Sequence, residues 1–160
     1  MATFRSIQMT APRYPVSGPG IGGRSLKVER AEINLATVNG GVGVAAGDVI
    51  QLFKLHPKFR VRGGFVKIVG GAGASVTYTV GDTGGGGAVA DPARYFASAS
   101  AAAAGTNVTL AEAGRDFLAS PNTRGGAGQY TTVTMTIAGA TTNITGTIIV
   151  VLEGFIEEPS

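Results

Sequence analysis

Phe59–Val69 reads F-R-V-R-G-G-F-V-K-I-V. Successive side chains of an extended strand point to opposite faces, so Phe59 and Val61 share one face and Arg60 and Arg62 the other. After Gly63-Gly64 the parity reverses: Val66 and Ile68 are apolar, with Lys67 between them. A β-bulge inserts one extra residue and produces this reversal, and glycine suits the backbone it needs. The stretch therefore predicts a half-buried strand with a bulge at the glycine pair.

The same alternation recurs on both sides of it. Tyr130–Ala138 sets Val133, Met135 and Ile137 against Thr132, Thr134 and Thr136. Leu26–Leu35 sets Ala31, Ile33 and Leu35 against Arg30, Glu32 and Asn34. Asp48–Leu55 and Ser75–Val80 read as further strands. Ile144–Phe155 contains Ile148–Leu152, which is apolar at every position and predicts a central strand. β-branched residues dominate Tyr130–Ala138 and Ile144–Phe155, as strands prefer. Val38–Gly47 and the glycine-rich Asp82–Ala90 are expected to be loops. Asp91-Pro92-Ala93-Arg94-Tyr95-Phe96 predicts one helical turn, with Asp as cap and Pro at the first helical position. The Ala/Ser run Ala97–Ala104 either extends that turn or forms a loop. Asn107–Leu110 and Asp116–Ala119 complete the set as short strands.

About eight short strands with turns between them and hardly any helix predict an all-β, jelly-roll-like β-sandwich. The sandwich is expected over residues 25–156. Residues 1–24 carry Pro12, Pro15 and Pro19 among several glycines and predict an extended arm. Residues 157–160 form an acidic tail.

Composition narrows the function classes. A single domain fits 160 residues. Cysteine is absent, which excludes disulfides and thiolate metal sites. Twenty-six glycines coexist with 44% hydrophobic residues, more apolar content than disordered chains have. Charged residues make up 14%, below the roughly 25% of average soluble domains, as for a surface covered by partners or one that is simply uncharged. Met1–Gln8 lacks the apolar core of a signal peptide, and Ile148–Leu152 is too short to span a bilayer. No membrane partner is expected.

Signals for chemistry are weak. His56 precedes Pro57 in a predicted turn, and no nucleophile-elbow motif accompanies it. Asp82 and Asp91 flank one loop, but two carboxylates without a ligand-spaced motif fit turn capping better than calcium. Gly18–Gly23 matches G-x-G-x-x-G in form only, because no strand precedes it and no helix follows. Tyr95, Phe96 and Tyr130 are expected in the core or at its rim, and no Trp is available for sugar stacking. No catalytic residue, metal or cofactor is expected, and the chain reads as a non-enzyme.

Charge is more informative. Between Val49 and Gly81 stand Lys54, Lys58, Arg60, Arg62 and Lys67 without an acid. The arm adds Arg5, Arg13 and Arg24, while the end of the chain carries Glu153, Glu157 and Glu158. Opposite signs at the two ends suit docking between copies, or of the basic part onto an acidic surface. Nucleic acid is disfavoured, since exposed aromatics do not interleave the basic residues. Contact residues are expected among Phe4, Arg5, Ile7, Arg13, Tyr14, Arg24, Arg60, Arg62, Glu157 and Glu158.

Several runs are recognisable together: AAGDVIQLFKLHPKFRVRGGFVKI (Ala45–Ile68), YTVGD (Tyr78–Asp82), DPARYF (Asp91–Phe96), TTVTMTIAGAT (Thr131–Thr141) and GTIIVVLEGF (Gly146–Phe155). In this order they resemble a family of small virion proteins of tailed bacteriophages. The chain departs from that pattern at Gly84–Gly87 and in the longer run Ala97–Ala104. The resemblance implies a decoration, or cement, protein on the capsid exterior, made in the host bacterial cytoplasm. It implies the major capsid protein as partner and self-association, with a homotrimer ahead of a dimer. It implies no active site. A tail, collar or fibre-base protein of the virion is the neighbouring alternative, and a carbohydrate-binding jelly roll the next.

Overall fold

Nine strands form among the described residues, and no helix does. They are β1 (Thr3–Arg5), β2 (Lys27–Asn34), β3 (Val49–Leu55), β4 (Phe59–Gly70), β5 (Thr77–Asp82), β6 (Asp91–Ser100), β7 (Asn107–Thr109), β8 (Thr131–Ala138) and β9 (Thr147–Ile156). The computed structural model describes residues 3–5, 27–38, 43–56, 59–70, 75–84, 90–101, 107–109, 130–139 and 144–156.

The strands make two sheets, ordered β1-β3-β8-β5-β6 and β2-β9-β4-β7. Apart from the β5–β6 pair, consecutive strands from β2 to β9 alternate between the sheets. This is the jelly-roll arrangement, and the sandwich expected from the sequence is found. Pairing is antiparallel throughout except at β1, which adds to β3 in parallel, with Thr3 opposite Val49 and Arg5 opposite Gln51.

The alternating residues meet between the sheets. Ala31, Ile33, Phe59, Val61, Val66, Ile68, Ile148, Val150 and Leu152 come from one sheet. Ile50, Leu52, Tyr78, Val80, Val133, Met135 and Ile137 come from the other. Burying each large apolar side chain contributes about 1.5–3 kcal/mol against the entropy of ordering the chain. β9 lies between β2 and β4, as its apolar run predicts. The bulge also lies where the parity reversal puts it: the β4–β9 register shifts between Val61 and Gly63. Gly64 next to it has φ 154°, and a Cβ there would stand 3.1 Å from Leu152 Cα and closer still to the Val151 carbonyl.

One expectation is corrected. Asp91–Ser100 is strand β6, not a helical turn followed by a loop. The Asp-Pro signal fits both, because proline is also tolerated at the start of an edge strand. Asp91 Oδ1 accepts the Ala93 amide at 2.9 Å, which caps a strand entry in place of a helix. Tyr95 and Phe96 are both fully buried, and the β5–β6 register shifts on either side of Val80. Within the expected loop Val38–Gly47, Val44 forms an antiparallel bridge to Ile144. Asp116–Ala119 and most of the arm lie outside the described residues.

Tyr78 and Glu29 are polar residues on the interior side of the sheets. Tyr78 is fully buried, its hydroxyl has no hydrogen-bond partner, and burial pushes its pKa up to about 12. An orphaned buried hydroxyl costs free energy that an apolar group of the same shape avoids. Tyr78→Phe is therefore expected to leave stability unchanged or raise it by about 1 kcal/mol in urea titration. A loss above that amount would mean that the hydroxyl is satisfied in solution. Glu29 shares the inward parity of Ala31 and Ile33. Burial pushes its carboxyl above 4.5, and Lys27 acts against the shift. The native state thus holds this proton more tightly than the unfolded chain, so its contribution to stability falls as pH rises through the raised value. Glu29→Gln should raise the unfolding midpoint at about pH 7 and leave it unchanged at about pH 3. An equal effect at both pH values would contradict the assignment.

Candidate interaction surfaces

The two outward faces of the sandwich differ in chemistry. On the five-stranded sheet, Thr132, Thr134 and Thr136 of β8 lie beside Thr79 and Gly81 of β5 and Val49 and Gln51 of β3. The rows are Gln51–Thr134–Gly81 and Val49–Thr136–Thr79. Threonine supplies most of the polar positions of this face, and the exposed Lys54, opposite Thr132, adds one positive charge.

The four-stranded sheet carries charge interleaved with apolar groups. Its rows across β2, β9 and β4 are Arg30–Val151–Phe65, Glu32–Ile149–Lys67 and Val28–Glu153–Gly63. Val28 and Val69 are exposed hydrophobics of this sheet, at 55% and 49%. Arg62 is exposed at the bulge of β4, and Arg60 stands opposite Phe155 in the register. The structure therefore brings Arg62 and Lys67 onto one strand beside the apolar Val151, Ile149 and Phe65. Apolar groups interleaved with charges have the chemistry of a protein contact in which charge sets orientation.

The other expected contact residues are spread along the chain. Phe4 and Arg5 belong to β1, opposite Ile50 and Gln51 at the edge of the five-stranded sheet. Ile7, Arg13, Tyr14, Arg24, Glu157 and Glu158 lie outside the described residues. The expected tail follows directly on β9, which ends at Ile156.

The buried polar cluster at the β5–β6 turn has a structural geometry. Asp82, 2% exposed, accepts the Tyr95 hydroxyl at 2.9 Å on Oδ2 and the Gly84 amide at 3.1 Å on Oδ1. Arg94 Nε lies 2.8 Å from the same Oδ2. Both carboxylate oxygens are thus engaged by the protein, and Asp91, the register partner of Asp82, serves the Ala93 amide. The sequence singled out Asp82 as a turn cap. It missed the ion pair to Arg94, which no motif marks. His56 is half-buried rather than open to solvent, and its ring meets the exposed Tyr130 edge-on, with centroids 5.6 Å apart at 89°. Among the described residues no three His, Asp or Glu side chains cluster as metal ligands.

No family model matches the chain, and no curated protein matches its sequence. Solved structures do match its fold. A chain in the capsid of Ralstonia phage GP4 is similar over 99% of both chains, with a TM-score of 0.61 and 19% identity. A chain of the cyanophage Pam1 capsid asymmetric unit is similar over 92% of this chain and 96% of that one, with a TM-score of 0.57 and 19% identity.

Proposed function

We propose that this chain is a structural protein of a tailed-phage virion that decorates the exterior of the shell built by the major capsid protein and cements it, without catalysis. The observation that carries this reading is the end-to-end fold match to chains from two phage capsids. The surface chemistry agrees with it. On the outward face of the four-stranded sheet Arg62 and Lys67 of β4 stand among apolar groups and the acids Glu32 and Glu153 of its neighbours, and β4 itself carries no acid between Phe59 and Gly70. An acidic, partly apolar shell surface would complement it.

Cementing needs a rigid body and many repeats of a modest contact. The sandwich supplies the body, and the symmetry of an icosahedral shell multiplies the contact. The test is sedimentation of the full chain with undecorated shells. Replacing Arg60 and Arg62 with Ser is expected to weaken binding by about tenfold at low salt, with a smaller difference at high salt. Equal binding of both proteins across the salt series would remove β4 from the contact.

A further inference from the structure

Strand β2 is an outer strand of its sheet, paired with β9 from Lys27 opposite Gly154 to Asn34 opposite Thr147. The Leu35 amide donates to the Gly146 carbonyl at 2.8 Å, continuing that register by one residue. Hydrogen-bonded pairs alternate along an antiparallel ladder. Ile33, Ala31 and Glu29 therefore turn their N–H and C=O groups towards β9, while Val28, Arg30 and Glu32 turn theirs to the opposite edge. No strand among the described residues pairs with that edge.

Edge strands are blunted by proline, a bulge, shortness or charged side chains. β2 is eight residues long, K-V-E-R-A-E-I-N, without proline and with an unbroken register to β9, so charge is its one such device, and a partner strand must pair those charges. Its outward side chains Arg30 and Glu32 are 56% and 53% exposed and lie 2.7 Å apart.

We propose that β2 pairs antiparallel with β2 of a second copy across a twofold axis at Ala31. The direction of these backbone groups allows only registers that set even-numbered residues opposite one another. An axis at Arg30 sets Arg30 against itself, and an axis at Glu32 sets Glu32 against itself. An axis at Glu29 sets Val28 against Arg30 and leaves Glu32 beyond the strand. With the axis at Ala31, Arg30 of each copy faces Glu32 of the other. The four side chains then alternate in sign around a square, two contacts along the strands and two across them. Opposite charges directly across a strand pair stabilise it, and like charges destabilise it. The ladder is short, because the Asn34 carbonyl already accepts the Thr37 and Val38 amides. The contact is isologous, a twofold in place of the threefold that the family resemblance implies.

The test is the mass of the full chain by analytical ultracentrifugation at concentrations up to about 1 mM. The natural chain is expected to dimerise. Arg30→Glu makes the square all acidic and Glu32→Arg makes it all basic, so each is expected to raise the dissociation constant at least about tenfold. The double variant Arg30→Glu/Glu32→Arg restores alternation and should dimerise again. Mixing the two single variants should yield a heterodimer, because each then faces opposite charge. Circular dichroism verifies that all variants fold, since both positions are exposed. A natural chain that stays monomeric, or single variants that associate like the natural chain, would overturn the proposal. Shell binding is measured separately, so failure here leaves the decoration reading standing.

Discussion

Gly81→Ala is expected to destabilise the domain by more than about 3 kcal/mol, enough to lower the yield of folded protein. Gly81 faces outward from β5, where the backbone of β6 crosses it closely. A Cβ built there would meet the Asp91 carbonyl oxygen, the Pro92 carbonyl carbon and the Ala93 nitrogen, all backbone atoms. No rotamer change relieves such a contact, so the start of β6 must move away from β5. That displacement would also pull Arg94 and Tyr95 from Asp82. Thr79→Ala, two residues earlier on the same face, should stay within about 1 kcal/mol of the natural chain. Urea unfolding of the two variants side by side tests the difference, and similar midpoints would contradict the close crossing.

Asp82→Ala is expected to cost about 3–5 kcal/mol. The carboxylate is fully buried, while the Arg94 side chain is 22% exposed. Removing the acid leaves a guanidinium, the Tyr95 hydroxyl and the Gly84 amide without their common acceptor. Breaking a buried ion pair from one side costs far more than replacing both partners with apolar groups. Asp82→Ala/Arg94→Met should therefore recover part of the loss. If Asp82→Ala alone costs under about 1 kcal/mol in denaturant titration, the cluster does not hold the β5–β6 turn.

Much of the sandwich was legible because its strands alternate cleanly. The parity reversal at Gly63-Gly64 located a bulge, and the unbroken apolar run Ile148–Leu152 located the central strand. Both are local patterns with one structural meaning. Asp91-Pro92 failed because its signal is degenerate: an aspartate that caps amides and a proline that needs none suit a helix entry and an edge strand alike. The alternation rule cannot arbitrate there, since Tyr95 and Phe96 are adjacent and both buried. The Asp82–Arg94 pair spans a loop, and nothing in the spacing of two single charges announces an ion pair. The contact residues were the least legible. Charge and apolar content nominate arm residues such as Tyr14 and Arg24, but what a segment touches depends on a partner that its own sequence does not contain. The edge of β2 that no described strand pairs with was likewise hidden, because the alternation of Lys27–Asn34 says which face is buried and not which edge is paired.

The proposed function is to coat a phage shell. Its direct test is the copy number of the chain in purified phage particles, by quantitative mass spectrometry against the major capsid protein. A decoration protein follows the shell lattice, so copies on the order of hundreds per particle are expected. A count of about twelve or fewer would place the chain at the neck or tail, and absence from the particles would contradict the virion reading altogether.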